Sequence, residues 1–339
     1  MHSFSIIIVS WNALQHLKIF LPSVAKTQYR EMEIILADNA SDDGSAEWVA
    51  AHYPEVKIVT FDQNYGYCGG NNRGARHAAG EILVFLNNDV EVEPDWIGHL
   101  DDCFREHPEA AAIQPKMRSY SNPAEFEYAG AAGGFIDKYG YPFCRGRVFD
   151  TVEKDTGQYD ASSEIFWASG AALAIRKKQF EAIGGFDEDF KFHMEEIDLC
   201  WQLWNRGHSV RYCPQSVVYH LGGGSMPMGS PRKVYYNYRN NLKMLWKNSQ
   251  LPNPALAIFH SVRIRYRCGL PVTHIRRMAG MFSHYPGTFS LLAFISKDAK
   301  KTPITPTKKN IRARSYNHAP HQPDQEIFFA GQTPLFRAA

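Results

Sequence analysis

Blocks of apolar and polar positions alternate along the first hundred residues. Ser5–Val9, Glu33–Leu36, Val56–Phe61 and Glu81–Leu86 are short runs rich in β-branched and other apolar residues, and they read as strands. Between them, Leu14–Lys26 carries Leu17, Leu21 and Val24 at helical spacing. Ser45–His52, Gly70–Ala79 and Asp95–Glu106, the last with Pro94 near its start, complete the helices. Strands and helices in alternation predict an α/β fold: a doubly wound, mostly parallel sheet with helices on both faces. Residues 118–165 are rich in Gly, Tyr and Asp without clear period and read as loops and short hairpins. Further on, Glu195–Trp204 is helical and Val217–Tyr219 a short strand. Val234, Tyr235, Tyr238, Leu242 and Leu245 make 231–248 an amphipathic helix. Residues 302–323 carry Pro, Thr, Lys and His without period and are expected to be disordered. There is no internal repeat.

The ends of the strands carry the chemistry. The apolar run Ile82–Leu86 stops abruptly at Asn87, Asn88 and Asp89. A carboxylate at the carboxyl end of a parallel strand stands where such sheets bind ligands, so Asp89 is a candidate metal or phosphate-site residue. Asn and Asp also favour turns, and the segment alone fits either use. The other strand ends are equally polar. The first ends in Ser10-Trp11-Asn12 and the second in Asp38-Asn39, followed by Ser41-Asp42-Asp43-Gly44-Ser45. The third runs into Asn64, Gly66, Gly69, Gly70, Asn71, Asn72 and Arg73. Acids, amides, glycines and one Arg form the inventory for a nucleoside diphosphate with a divalent cation. The glycines give no G-x-G-x-x-G after the first strand, which argues against a nicotinamide-binding enzyme. The chain also has no G-x-x-x-x-G-K-[ST] loop, which excludes a P-loop enzyme.

Composition adds a charge split. The 339 residues are 44% hydrophobic and 21% charged, ordinary for a globular protein with a real core. The formal net charge is +2. Yet residues 231–339 carry 18 Lys and Arg against three acids, +15, and residues 1–230 carry 19 against 32, −13. Such asymmetry suggests two jobs: an acidic catalytic body, and a basic surface for anionic lipid rather than nucleic acid. Arg263, Arg265, Arg267, Arg276 and Arg277 interleave with apolar residues, as a membrane-surface segment would; packing on the body, or a homodimer, is the other use of such a face. The six Cys have no C-x-x-C spacing, so neither a zinc site nor a disulfide framework is expected. The apolar run Phe4–Val9 is too short for a signal peptide. Ile165–Ile175, the nearest to a bilayer-spanning stretch, is broken by Ser169 and Gly170. These features predict a cytoplasmic protein, peripheral at the inner face of the cell membrane.

The order and spacing of these motifs resemble the family 2 glycosyltransferases, most closely the bacterial rhamnosyltransferase-like members. The match rests on Ser10-Trp11-Asn12, on Asp38 through Ser45, on Asn64 through Asn72, and on Asn87-Asn88-Asp89. It continues through Ala168 to Ile175, Gly184 to Phe190, Glu195 to Cys200 and His220 to Ser225, covering about residues 4–248. The resemblance implies a GT-A fold, a UDP- or dTDP-sugar donor, and Mg²⁺ or Mn²⁺. It puts Asp38 on the base, Asp89 on the metal as the last residue of a D-x-D motif, and His220 as the residue that completes the metal site. Asn87 stands where that motif begins with Asp and would serve the ribose. Ser10, Asn12, Asn64, Gly66, Asn71, Arg73 and Asn88 would complete the nucleotide site, with Arg73 on phosphate. Glu196 stands where relatives carry a general-base Asp. Glu195, Asp198, Trp167 and Gly170 would line the acceptor site.

The expectation is therefore an inverting glycosyltransferase that moves a sugar to a hydroxyl of a glycan or lipid-linked acceptor in cell-surface polysaccharide synthesis. Its catalytic domain would span 1–230, with nucleotide-binding and acceptor halves of about 1–115 and 116–230. A helical basic extension would follow over 231–301, and a tail over 302–339. The alternatives are a non-catalytic sugar-nucleotide or glycan-binding protein of the same fold, and a nucleotidyltransferase. The second would need a basic phosphate-gripping loop after the first strand, which Ser10-Trp11-Asn12 does not supply.

Overall fold

The computed structural model describes residues 1–137, 140–148, 151–222 and 231–249. The expected basic extension beyond 249, the tail, and residues 223–230 lie outside the described residues. The chain opens with β1 (Phe4–Ser10), α1 (Leu14–Ala25), β2 (Met32–Asp38), α2 (Ser45–His52), β3 (Lys57–Thr60), α3 (Gly66–Ala75) and β4 (Ile82–Asn87). It continues with β5 (Val90–Val92), α4 (Trp96–Glu106) and β6 (Ala110–Ser119). Short strands follow: β7 (Gly134–Ile136), β8 (Pro142–Cys144), β9 (Arg147–Val148), β10 (Thr151–Val152) and β11 (Ser163–Glu164). The last elements are β12 (Ala172–Arg176), α5 (Lys177–Ile183), α6 (Glu195–Asn205), β13 (Ser209–His220) and α7 (Pro231–Asn248).

The main sheet runs β11-β13-β6-β12-β4-β1-β2-β3, with β5 paired to β13. Its first half is wholly parallel: β1 pairs with β2 and β4, and β2 with β3. β12 then enters antiparallel between β4 and β6, while β6 and β13 are parallel to each other. The sheet is thus mixed but mostly parallel. Both faces are covered, which is why β1 and β4 read as unbroken apolar runs. Phe4, Ile6, Ile8, Ile82, Val84 and Leu86 pack on one face, with residues of α1 and α4. Ile7, Leu83 and Phe85 pack on the other, with residues of α3, α6 and α7. β7 to β10 form a small separate antiparallel sheet within the aperiodic stretch.

Two of the expected elements differ in extent from the sequence reading, which passed over β5, β6, β12 and α5. The third helix begins at Gly66 rather than Gly70, because Asn64 Oδ1 accepts the Gly66 N–H at 2.8 Å and closes the turn that starts it. Its glycines are there for close approach. A Cβ at Gly70 would stand 2.8 Å from Val9 Cγ1, and one at Gly74 2.7 Å from Ile7 Cγ2, so only glycine lets α3 lie against β1. The last strand is twelve residues, Ser209–His220, not three. Pro214 masks it, and its register shifts between Cys213 and Val217. Among the described residues no helix is long and apolar enough to cross a membrane, and the five described cysteines are unpaired.

Candidate active site

β2 and β4 leave β1 on opposite sides, so the crevice at their carboxyl ends is the switch point of the sheet. Register brings the expected residues together there: Ser10 stands opposite Asp38, and Val9 opposite Asn87. Asp38 is buried and accepts the Ser41 N–H at 3.3 Å. Asn12 takes a left-handed backbone (φ 48°) and ties two loops together: its N–H donates to Ser41 Oγ at 3.0 Å and its Oδ1 accepts from the Asp42 N–H at 2.9 Å. Asn88 Nδ2 lies 3.5 Å from the Val9 carbonyl. Asn39, which sequence reasoning passed over, joins this crevice to α3 by donating to the Gly66 carbonyl and accepting from the Tyr65 N–H. Ser10 Oγ and Asn71 Oδ1 are buried without a hydrogen-bond partner in the protein. Buried polar atoms of that kind call for a ligand or water.

At the neighbouring rim, β5 pairs with the end of β13, setting His220 opposite Val90. Asp89 is 7% exposed and His220 9%. Their Oδ1 and Nε2 atoms are 3.2 Å apart, and Glu127 Oε1 stands 3.2 Å from the other ring nitrogen, Nδ1. Burial works against a charged imidazole, but the two carboxylates outweigh it and hold His220 protonated, its pKa raised to about 10. Burial likewise pushes the Asp89 carboxyl up, yet the His220 hydrogen bond and charge bring it below its ordinary value. Carboxylate and imidazole suit a divalent cation of the Mg²⁺ or Mn²⁺ type, which would take the place of the proton between Asp89 and His220. Glu127 lies on the far nitrogen, and among the described residues no group of three or more His, Cys, Asp or Glu is arranged to hold an ion. The residues therefore fit a cation held by two protein ligands, with the remaining positions left to phosphate oxygens and water. Glu127 would then orient the ring, as an outer carboxylate commonly does for a ligating histidine. It comes from the aperiodic stretch, where no sequence pattern marks it.

The acid pair heads α6. His193 (φ 64°) and Met194 (φ 75°) both take the left-handed backbone just before Glu195. That conformation costs roughly 1–2 kcal/mol per non-glycine residue. Glu195 is buried and Glu196 half-buried, and the Oε2 atom of each lacks a partner in the protein. Burial, then the charge of Glu196, pushes Glu195 well above its ordinary value, while burial alone raises Glu196 to about 7. Tyr67, whose hydroxyl donates to the Gly170 carbonyl at 2.6 Å, is pushed up by burial and by both carboxylates. A Cβ at Gly170 would lie 3.7 Å from Glu196 Cβ and 2.9 Å from the Tyr67 hydroxyl. Gly170 and Glu196 are thus neighbours, as an acceptor site requires.

Three expected site residues are used elsewhere. Arg73 stacks 3.4 Å from the Tyr65 ring centroid and pairs with Glu188 at 3.0 Å, so its guanidinium bridges α3 to the loop before α6. Trp167 is a core residue: its indole N–H donates to the Phe135 carbonyl at 2.8 Å, and its ring packs so tightly on Gly134 that a Cβ there would be 2.1 Å away. Asp198 is buried under α7, accepting from Lys247 Nζ and Asn248 Nδ2, each at 2.7 Å, so it does not face an acceptor.

Comparison with known proteins agrees with this geometry. Residues 5–168 match the profile of Glycosyl transferase family 2. An N-acetylglucosaminyl-diphospho-decaprenol L-rhamnosyltransferase of Mycobacterium tuberculosis is 28% identical over 229 residues, 63% of this chain and 75% of the relative. The O-antigen biosynthesis protein RfbC of Myxococcus xanthus is 29% identical over 203 residues, 58% of this chain but 15% of that much longer protein. Among solved structures, GalNAc-T7 with UDP, GalNAc and Mn²⁺ superposes with a TM-score of 0.60 at 18% identity, over 84% of this chain and 58% of that one. Residues 5–168 are a family 2 glycosyltransferase region, in a chain with a GT-A fold and a rhamnosyltransferase-like sequence.

Proposed function

We propose that the enzyme is an inverting transferase that moves a sugar from a UDP- or dTDP-sugar to a hydroxyl of a glycan or lipid-linked acceptor. The observation that carries this reading is the pair of sites facing different chemistry. One rim holds Asp89 beside His220; the other holds Glu196, a carboxylate whose pKa of about 7 suits a general base. Asp38 and the loop tied by Asn12 receive the base, while Ser10, Asn87 and Asn88 line the ribose and phosphate path. Glu196 takes the proton of the acceptor hydroxyl as its oxygen attacks the anomeric carbon, and the bond to the diphosphate breaks on the opposite face. The single displacement inverts that carbon. Asp89 and His220 would hold a divalent cation, which supplies charge neutralisation for the leaving diphosphate. Glu195, held neutral beside Glu196, leaves that carboxylate as the ionisable member of the pair at working pH.

The names of the relatives support the acceptor and the cation. The mycobacterial relative is named for a decaprenol-diphosphate-linked sugar, and the GalNAc-T7 crystals contained UDP with Mn²⁺. A membrane-bound acceptor would suit the basic residues beyond 249. A screen of UDP- and dTDP-sugars for metal-dependent hydrolysis and transfer tests the reading. At least one donor should be turned over only with Mn²⁺ or Mg²⁺ present, and turnover undiminished in a chelator would overturn the metal assignment.

A further inference from the structure

The turn that carries the acid pair is held from outside its own element. Asn240 on α7 is fully buried. Its side-chain amide donates to two successive carbonyls, Phe192 at 2.6 Å and His193 at 2.9 Å. The first of these carbonyls precedes the left-handed pair His193–Met194 and the second lies within it, and α6 then starts at Glu195. The Asn240 Oδ1 is in turn oriented by Arg239, whose guanidinium also donates to the Asp189 carbonyl. Lys243 and Lys247 pin the same loop at Asp187, and Lys243 reaches Asp189 as well. Left-handed backbone at two consecutive non-glycine residues persists only where the surroundings impose it. Here the imposing group is one primary amide, which has two N–H donors for two carbonyls.

We infer that Asn240 is a positioning residue for transfer: its amide holds the His193–Met194 turn and so sets where the Glu195 and Glu196 carboxylates stand. This rests on the reading of Glu196 as the base. Asn240 is fully buried, and its hydrogen bonds go to Arg239, Phe192 and His193 rather than to Ser10, Asp38 or Asn87. Its loss therefore acts on the chemical step rather than on nucleotide binding. The role also ties the first helix of the basic part of the chain to the catalytic carboxylates.

Full-length Asn240→Ala, Asn240→Asp and Asn240→Ser test it, by steady-state transfer, nucleotide binding and hydrogen exchange of the 190–198 segment. For Asn240→Ala, kcat should fall about 10- to 100-fold, the effect of a small misplacement at a reacting centre, with the donor KM within about twofold. The Asp198 amide, bonded to the Met194 carbonyl, should exchange faster. Asn240→Asp has the shape without the donors and should be as slow as Ala, whereas Asn240→Ser, with one donor, should lie between. Adding Met194→Gly, which takes the left-handed turn freely, should restore part of kcat in the Ala variant. A folded Ala or Asp variant with wild-type kcat, or one that loses nucleotide affinity as much as kcat, overturns the inference. Should the Ala variant not fold, the Asp and Ser variants decide. Glu196→Gln in parallel separates the two readings: slow Glu196→Gln with normal Asn240→Ala discards the positioning role alone, and normal Glu196→Gln discards the base.

Discussion

Replacing Glu196 by Gln keeps the shape of the side chain and removes its proton-accepting capacity. Two effects of opposite sign follow from one cause, the burial that raises this carboxyl from 4.5 to about 7. The first is kinetic. A base with a pKa near 7 is about one-tenth ionised at pH 6 and nine-tenths at pH 8, so wild-type transfer should rise about tenfold across that interval and then level off. Glu196→Gln should lose roughly 10²–10⁴-fold in transfer and lose this limb. The second is thermodynamic. Below about pH 4.5 the carboxyl is protonated whether the chain is folded or not, and it has no effect on stability. Between pH 4.5 and 7 the unfolded chain releases its proton first, so wild-type stability falls as pH rises, and the deficit is constant above pH 7. The full shift corresponds to about 3 kcal/mol, reduced to about 2 kcal/mol because the side chain is partly exposed. Glu196→Gln escapes this, so its melting temperature should gain on wild type by some 4–8 °C between pH 5 and 8. Glu195, Tyr67, Cys68 and Cys200, the titratable groups around it, stay in place in the variant and lose only the upward push of the Glu196 charge, burial remaining the largest cause of each shift. Sugar transfer and thermal unfolding measured from pH 5 to 9 read both effects. A variant that keeps the pH limb, or transfers within tenfold of wild type, refutes the base assignment; a melting difference flat with pH refutes the account of its burial.

Two further outcomes bear on residues the structure reassigns or leaves beyond its reach. Asp198→Ala removes a buried carboxylate from Lys247 and Asn248 and should destabilise the fold by about 3 kcal/mol, seen in urea unfolding, with nucleotide affinity unchanged. A chain ending at Asn248 should lose co-sedimentation with anionic vesicles that the full chain shows at low salt, each basic residue near such a surface contributing about 1 kcal/mol. Equal binding by both chains would remove the membrane proposal.

The parallel half was legible because burial on both faces of β1 and β4 writes an unbroken apolar run, and polar residues then mark where each strand stops. Asp38, Asn87 and Asp89 could be found from that boundary alone. The start of α3 was not legible. Gly66 and Gly69 read as loop by propensity, and the close approach of Gly70 to Val9 and of Gly74 to Ile7, which lays the helix on β1, exists only in the folded chain. Asp198 was visible as an acid on a helical face, but its partners lie 49 and 50 residues away on α7, so its use in packing was hidden. Arg73 was ambiguous for the same reason, since Glu188 meets it only in the folded chain. Glu127 and Asn240 had no local signal: one reaches His220 from an aperiodic loop, the other reaches a turn from a neighbouring helix.

The central claim is that the Asp89–His220 rim and the Asp38 crevice form one cation-dependent nucleotide-sugar site. The direct measurement is calorimetric titration of UDP and dTDP into wild type and Asp89→Ala, each with and without Mn²⁺. Wild type should bind one of the nucleotides more tightly with Mn²⁺ present, and Asp89→Ala should bind it weakly and equally with or without the cation. An Asp89→Ala protein that retains the full Mn²⁺ enhancement, or a folded wild type that binds neither nucleotide, would contradict the account.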